Sequence, residues 1–171
     1  DCFDGASITI PNTITNVETN WGKNVVSTYV STPNNEKFLL NKRNQENTLD
    51  PNTKIIGPSL YRFSEVSEIK GSDNKVEYIS EYAFAEDNYL FKLPDFSHLI
   101  GIQKHAFSNC HGLDEFTFAD SLKFIGENAF EGTGLKEVYL PKGITTIEKN
   151  AFINSKVKKI FLEADEIPET F

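Results

Sequence analysis

The chain lacks any run of about 18 apolar residues, so no part of it reads as a membrane-spanning helix. It also lacks a basic excess. Lys and Arg number 17 against 25 Asp and Glu, a net charge of −8, with a sequence pI of about 4.9. Non-specific binding to nucleic acid or to an anionic membrane has no positive face to start from. Cysteine is scarce: Cys2 and Cys110 lie far apart and form no Cys-x-x-Cys pair, which removes zinc-ribbon and thioredoxin-like motifs. No signal-like stretch opens the sequence, which begins at Asp1 without a Met. The expectation is a processed or trimmed product whose export signal would lie out of view. No Asn-x-Ser/Thr acceptor occurs among the asparagines, which is compatible with a bacterial source.

What is present is enough for a core. The 171 residues are about one domain long, 39% are hydrophobic and 14 are Phe, a composition that argues against disorder. The apolar residues are also periodic. Ala-Phe recurs at 83–84, 106–107, 129–130 and 151–152, at intervals of 23, 23 and 22 residues. Four residues before each Ala stands Ile79, Ile102, Ile125 or Ile147, and six or seven after it stands Leu90, Leu113, Leu135 or Val157. Four periods with three columns in register define a repeat.

After each Ala-Phe the sequence runs apolar-x-x-apolar-x-apolar, as in Leu135-x-x-Val138-x-Leu140 and Val157-x-x-Ile160-x-Leu162. The closing alternation has the period of a strand. A second apolar pair follows, Leu99 with Ile102, Leu122 with Ile125 and Ile144 with Ile147. One strand, a turn, a buried ledge and an Ala-Phe corner make one coil, which buries its apolar edges only by stacking on its neighbours.

Fainter copies lie upstream. Ile56 precedes Ile79 by 23 residues, Leu60-Tyr61 stands where Ala-Phe would be, and Val66-x-x-Ile69 follows as the strand. Ile8-x-Ile10-Pro11-x-x-Ile14-x-x-Val17 matches Val138-x-Leu140-Pro141-x-x-Ile144-x-x-Ile147 position for position. Residues 18–48 break the period. Two apolar runs flank Thr32-Pro33-Asn34-Asn35, which reads as a hairpin. The expected organisation is a degenerate first repeat at 1–17, a β-hairpin insertion or cap at 18–48, and a solenoid of five to six coils in all, its main body at 49–171.

Residues 79–162 resemble the BspA-like leucine-rich repeat, through Ala106-Phe107-Ser108-Asn109-Cys110-x-Gly112-Leu113 and Leu140-Pro141-Lys142-Gly143-Ile144. The match is looser at 2–17 and 49–75. Asp95 departs from it where the last strand apolar would stand. The resemblance implies a leucine-rich-repeat solenoid, mostly β, in a secreted or cell-surface bacterial protein of adhesive or recognition type.

Repetition explains the tempting single residues. The Ala-Phe rings read as an aromatic ladder between coils. Cys110 sits at a small-residue turn position, and His111 is its neighbour only in sequence. His98, His105 and His111 fall on different parts of two coils, so no metal site is expected. The glycines between Gly126 and Gly134 read as turns and lack a following Gly-Lys-Ser/Thr. Glu81, Glu86 and Asp87 read as a solvated rim. No catalytic residue, cofactor or metal ligand is assigned, and the chain is not read as an enzyme.

Binding is expected on the outward strand positions. One column is Glu68, Lys92, Glu115, Glu137, Lys159, and the next is Lys70, Pro94, Thr117, Tyr139, Phe161. Tyr139 and Phe161 would be neighbouring aromatics on a wet face, suited to a protein or glycan partner. The candidate ligand-binding face is therefore Glu115, Thr117, Glu137, Tyr139, Lys159 and Phe161. A spacer or stalk with no tight ligand is the alternative.

Overall fold

The computed structural model describes residues 27–31, 37–42, 47–71, 73–163 and 168–170, and among these there is no helix. The chain is a β-solenoid of about five coils with three sides, called here ledge, corner and strand. The degenerate repeat at 1–17 and the turn at 32–35 lie outside the described residues.

The ledge carries the most regular pairing. Its strands are β3 (Thr53–Ile56), β4 (Tyr78–Ile79), β5 (Gly101–Ile102), β6 (Phe124–Ile125), β8 (Thr146–Ile147) and β10 (Glu169–Thr170). Each pairs in parallel with the strand one coil on, so Ile56, Ile79, Ile102, Ile125, Ile147 and Thr170 form one file. The first four of these isoleucines are fully buried. At the N-terminal edge β1 (Ser27–Ser31) and β2 (Lys37–Lys42) form an antiparallel pair. β2 joins β3 in parallel, completing an eight-stranded sheet. The sequence pattern placed the strand after each Ala-Phe corner, yet regular pairing there is confined to β7 (Glu137–Leu140) and β9 (Lys159–Leu162). Single bridges, Thr48 to Lys70 and Glu68 to Lys92, continue that side upstream.

The corner is a second ladder. In the coil of Phe84 the amides of Tyr82, Phe84 and Glu86 donate to the carbonyls of Lys104, Ala106 and Ser108 at 3.1, 2.8 and 2.8 Å. The intervening amides of Ala83, Ala85 and Asp87 close turns on the carbonyl three residues back. The same bonds recur from His105, Phe107 and Asn109, and again from Asn128, Phe130 and Gly132. Each of these corner amides is thereby answered by a backbone carbonyl. Behind it the rings of Tyr61, Phe84, Phe107, Phe130 and Phe152 stack in sequence, with centroids 4.9, 5.0, 5.2 and 5.4 Å apart. Tyr61 thus fills the place of the missing Phe.

This corner demands two left-handed residues per coil. One precedes the Ala position (Ser59, Tyr82, His105, Asn128, Asn150), and the other follows it by three (Phe63, Glu86, Asn109, Gly132, Asn154). All have φ between 53° and 65°. Gly132 is therefore a turn glycine. Gly126 and Gly134 are not, because they answer to close approach. A Cβ at Gly126 would stand 2.6 Å from the Lys104 amide, and one at Gly134 2.8 Å from the His111 carbonyl.

Two expectations need correction. Asp87 is not on a solvated rim: it is fully buried. It belongs to a column of small polar side chains, Ser64, Asp87, Cys110, Thr133 and Ser155; all but Cys110, whose thiol reaches the Phe84 carbonyl of the preceding coil, bond to backbone two or three residues away. The Ser64 hydroxyl donates to Asp87 from the preceding coil, and the Tyr89 amide donates to Asp87 at 3.2 Å. Burial raises the Asp87 pKa against those bonds. Asp95, where the last strand apolar was expected, is exposed. Phe96, one residue later, takes the buried place.

Candidate functional site

The strand side holds the six candidate residues and treats them as two groups. Glu137, Tyr139, Lys159 and Phe161 sit on β7 and β9, where Glu137 pairs with Lys159 and Tyr139 with Phe161 in parallel register. The alternation that buries Val138 and Leu140 sends Glu137 and Tyr139 outward. The two rings stack with centroids 4.6 Å apart and planes 7° from parallel, and they are 58% and 41% exposed. Lys159 Nζ stands 3.5 Å from Glu137 Oε1, and the Tyr139 hydroxyl donates to Glu137 Oε2 at 2.9 Å. That hydrogen bond raises the Tyr139 pKa above the usual phenol value. On the last described coil Ile160 and Leu162 are exposed as well, although their partners Val138 and Leu140 are buried.

Glu115 and Thr117 are placed differently. No strand pairing joins residues 113–118 to either neighbouring coil, and the ladder opens there. A cleft of about 280 Å³ lies between residues 91–96 and 115–117, so both candidates line it. A second cleft, about 440 Å³, lies on the other side of the same segment, between residues 68–73 and 92–97. Lys92, Leu93, Pro94 and Asp95 form the wall that the two clefts share. Larger side chains account for the opening. Phe116 packs edge-on against Phe107 and Phe130 and tilts against Phe96 and Phe118, where other coils place Ile, Leu or Val. Pro94 has no N–H to offer a ladder. Phe91, 55% exposed on the rim, has no counterpart in the two outward columns and was not selected from them. Pro94 and Asp95 were the sequence signals, as a missing donor and a missing apolar residue.

Charge on this side is largely self-answered. Lys92 Nζ lies 2.7 Å from Glu68 Oε1, and its hydrogen bond pulls the Glu68 pKa below the usual carboxylate range. Lys136 Nζ stands 3.6 Å from Asp114 Oδ2. The cysteine and histidines are engaged elsewhere. Cys110 is fully buried, its thiol donates to the Phe84 carbonyl at 3.0 Å, and burial pushes its pKa up. His111 Nδ1 lies 2.6 Å from the Gly132 carbonyl oxygen, and His98 Nδ1 lies 3.1 Å from the Ser97 hydroxyl. His105 stacks on Tyr82. Among the described residues no three His, Cys, Asp or Glu side chains gather as metal ligands would.

A family model for the BspA type leucine rich repeat region matches residues 1–90 and 90–169. The chain belongs to the BspA-type leucine-rich repeat family. Solved structures of the same fold include a T. pallidum leucine-rich repeat protein, TpLRR, at TM-score 0.71 and 21% identity, covering 79% of this chain and 68% of that one. A Bacteroides ovatus leucine-rich repeat protein matches at 0.67 and 22%, covering 79% and 39%. One from Bacteroides capillosus matches at 0.53 and 17%, covering 81% and 94%. This BspA-type chain thus spans about two thirds of the first and well under half of the second. No curated protein matches the sequence. The family assigns a repeat-based interaction or structural module.

Proposed function

We propose that this chain is a non-enzymatic recognition module, secreted or displayed on a bacterial cell surface, that adheres to a protein or glycan through its strand side. The observation that carries the reading is the exposed Tyr139–Phe161 stack. Two aromatic rings held in register, beside an ion pair and near two clefts, form a pre-ordered contact surface with little side-chain entropy left to lose. The buried, hydrogen-bonded Cys110 thiol and the engagement of His111 with the Gly132 carbonyl support a role without catalysis. The β1–β2 pair acts as the cap of the first described coil in this reading, since β2 extends the ledge sheet beyond β3.

The test displays purified extracellular-matrix proteins and glycans on an array and probes them with the full chain and with a Tyr139→Ala/Phe161→Ala variant. A ligand that the variant loses about tenfold, with the melting temperature nearly unchanged, supports the reading. A variant that unfolds readily would make the rings part of the core and end it. Binding indifferent to both rings would end it too. The self-paired charges Glu68–Lys92 and Glu137–Lys159 suit a second reading, a spacer within a larger surface protein. Absence of any array ligand would favour that one.

A further inference from the structure

The corner side carries a feature that neither the repeat nor the strand-side reading uses. Each corner needs two left-handed residues, and the later coils supply types that tolerate that conformation: Asn109, Asn128, Gly132, Asn150 and Asn154. The two earliest described coils place Phe63 (φ 56°) and Tyr82 (φ 56°) there. A large aromatic residue at positive φ is an outlier, which persists only where the surrounding structure holds it, as the repeated corner does here.

The strained residues gather in one place. The Arg62 guanidinium carbon lies 4.7 Å from the Phe63 ring centre and 4.8 Å from that of Tyr82. Tyr82 in turn stacks on His105, centroids 4.8 Å apart and planes 9° from parallel. Phe63 is 68% exposed, the highest value among the large apolar side chains described, so core burial does not compensate its backbone. The Arg62 side chain is exposed, and its guanidinium makes neither an ion pair nor a hydrogen bond with any described residue, while its amide donates to the Ser59 carbonyl. Of the acids on the corner side, Glu86 and Glu131 are occupied. Glu86 accepts from the Asn109 amide at 3.0 Å, and Glu131 accepts from Asn128 at 2.8 Å and faces His105 Nδ1 at 3.7 Å.

We infer that Arg62, Phe63 and Tyr82 form a docking point for a partner-protein segment that presents one carboxylate beside an apolar side chain. A guanidinium lying against aromatic rings hydrogen-bonds in its own plane, where its paired N–H groups match the two oxygens of a carboxylate. Arg and Tyr are the residue types that dominate protein–protein contact energy, and the exposed Phe63 ring supplies the apolar area beside them. A sugar is the poorer fit. Tyr82 lies between Arg62 of one coil and His105 of the next, so its faces are covered. Phe63 already has Arg62 over its ring. The chain's net charge of −8 disfavours a run of acids and favours a single one.

The test titrates the isotope-labelled full chain with acetyl-Phe-Glu-Leu-amide and, as control, acetyl-Phe-Gln-Leu-amide, following the arginine side-chain Nε–H signals by NMR. The chain has Arg43 and Arg62 as its arginines, and Arg62→Lys assigns the signal. The glutamate peptide is expected to shift the Arg62 signal saturably, with the glutamine peptide needing about tenfold more. Phe63→Asn, the residue type the later coils use, should weaken the glutamate peptide about fivefold while leaving the melting temperature equal or higher. Equal response to both peptides, or full binding by Phe63→Asn, would overturn the inference. So would tighter binding of a glucuronate tetrasaccharide than of the glutamate peptide.

Discussion

Corner and ledge meet the next coil in unbroken register, from Tyr61 to Phe152 along the rings and from Ile56 to Ile147 along the strands. The strand side pairs at either end and opens between residues 91 and 117. Two ladders are enough to hold a stack in place, so the third side is free to vary. On this third side stand the exposed Phe91, Tyr139 and Phe161 and the two clefts. The contrast teaches that in a repeat of this kind two regular ladders hold the stack and leave the third side free to carry exposed rings and clefts.

The contrast breaks if the strand side carries as much stability as the corner. Phe107 is fully buried, stacked on Phe84 and Phe130 and edge-on to Phe116. Phe107→Ala should cost about 3–5 kcal/mol in urea unfolding. Tyr139→Ala removes a ring that is more than half exposed and should cost under about 1.5 kcal/mol, the worth of one aromatic pair. Similar losses from the two would mean that all three sides hold the solenoid.

A smaller effect separates the charges of the corner. Lys104 and Lys149 flank Glu127 at 2.8 and 2.9 Å and hold its carboxyl at about 2. A carboxylate with a depressed folded pKa supports stability above its ordinary pKa and loses that support as the pH falls toward 2. Asp87 runs the other way. Its folded pKa is raised by burial, so its contribution is greatest below the ordinary value of 3.8 and is lost as the pH rises through the raised one. Asp87→Asn should therefore match the parent chain near pH 3 and exceed it increasingly toward neutrality, read as urea midpoints across the range. A constant offset at all pH values would mean that Asp87 acts through hydrogen bonding alone.

Much of this was legible in the sequence because the repeat checks itself. The Phe ladder, the ledge isoleucines and the placing of Tyr139 beside Phe161 all follow from columns in register. What the columns hid has physical causes. Asp87 looked solvated because acidic residues rarely sit inside, yet its carboxylate caps a turn by accepting from the amide two residues on, and Ser64 and Ser155 show the same use. Phe96 shifted by one because Pro94 and Asp95 do not suit a strand. The clefts were invisible because they arise from pairing that fails to form between 91–96 and 115–117. The left-handed columns escaped notice since Ser59, Tyr82 and Glu86 share no chemistry that marks them.

Those columns allow the smallest and sharpest comparison, between early and late coils. Asn128 and Ser59 occupy equivalent left-handed positions, at φ 55° and 54°. Asparagine tolerates that conformation, whereas an ordinary L-residue is held there at roughly 1–2 kcal/mol. Ser59→Gly releases the strain but gives the unfolded chain more freedom, so the gain should be under about 1 kcal/mol. Asn128→Ala should lose about as much, together with its bond to Glu131. Gly132→Ala should lose more than either, because a Cβ there meets Asn109 Oδ1 at 2.6 Å and φ is already +65°. Urea midpoints rank the three. If Ser59→Gly destabilises, serine is at ease in the early corner and the left-handed position there carries no strain for the fold to hold.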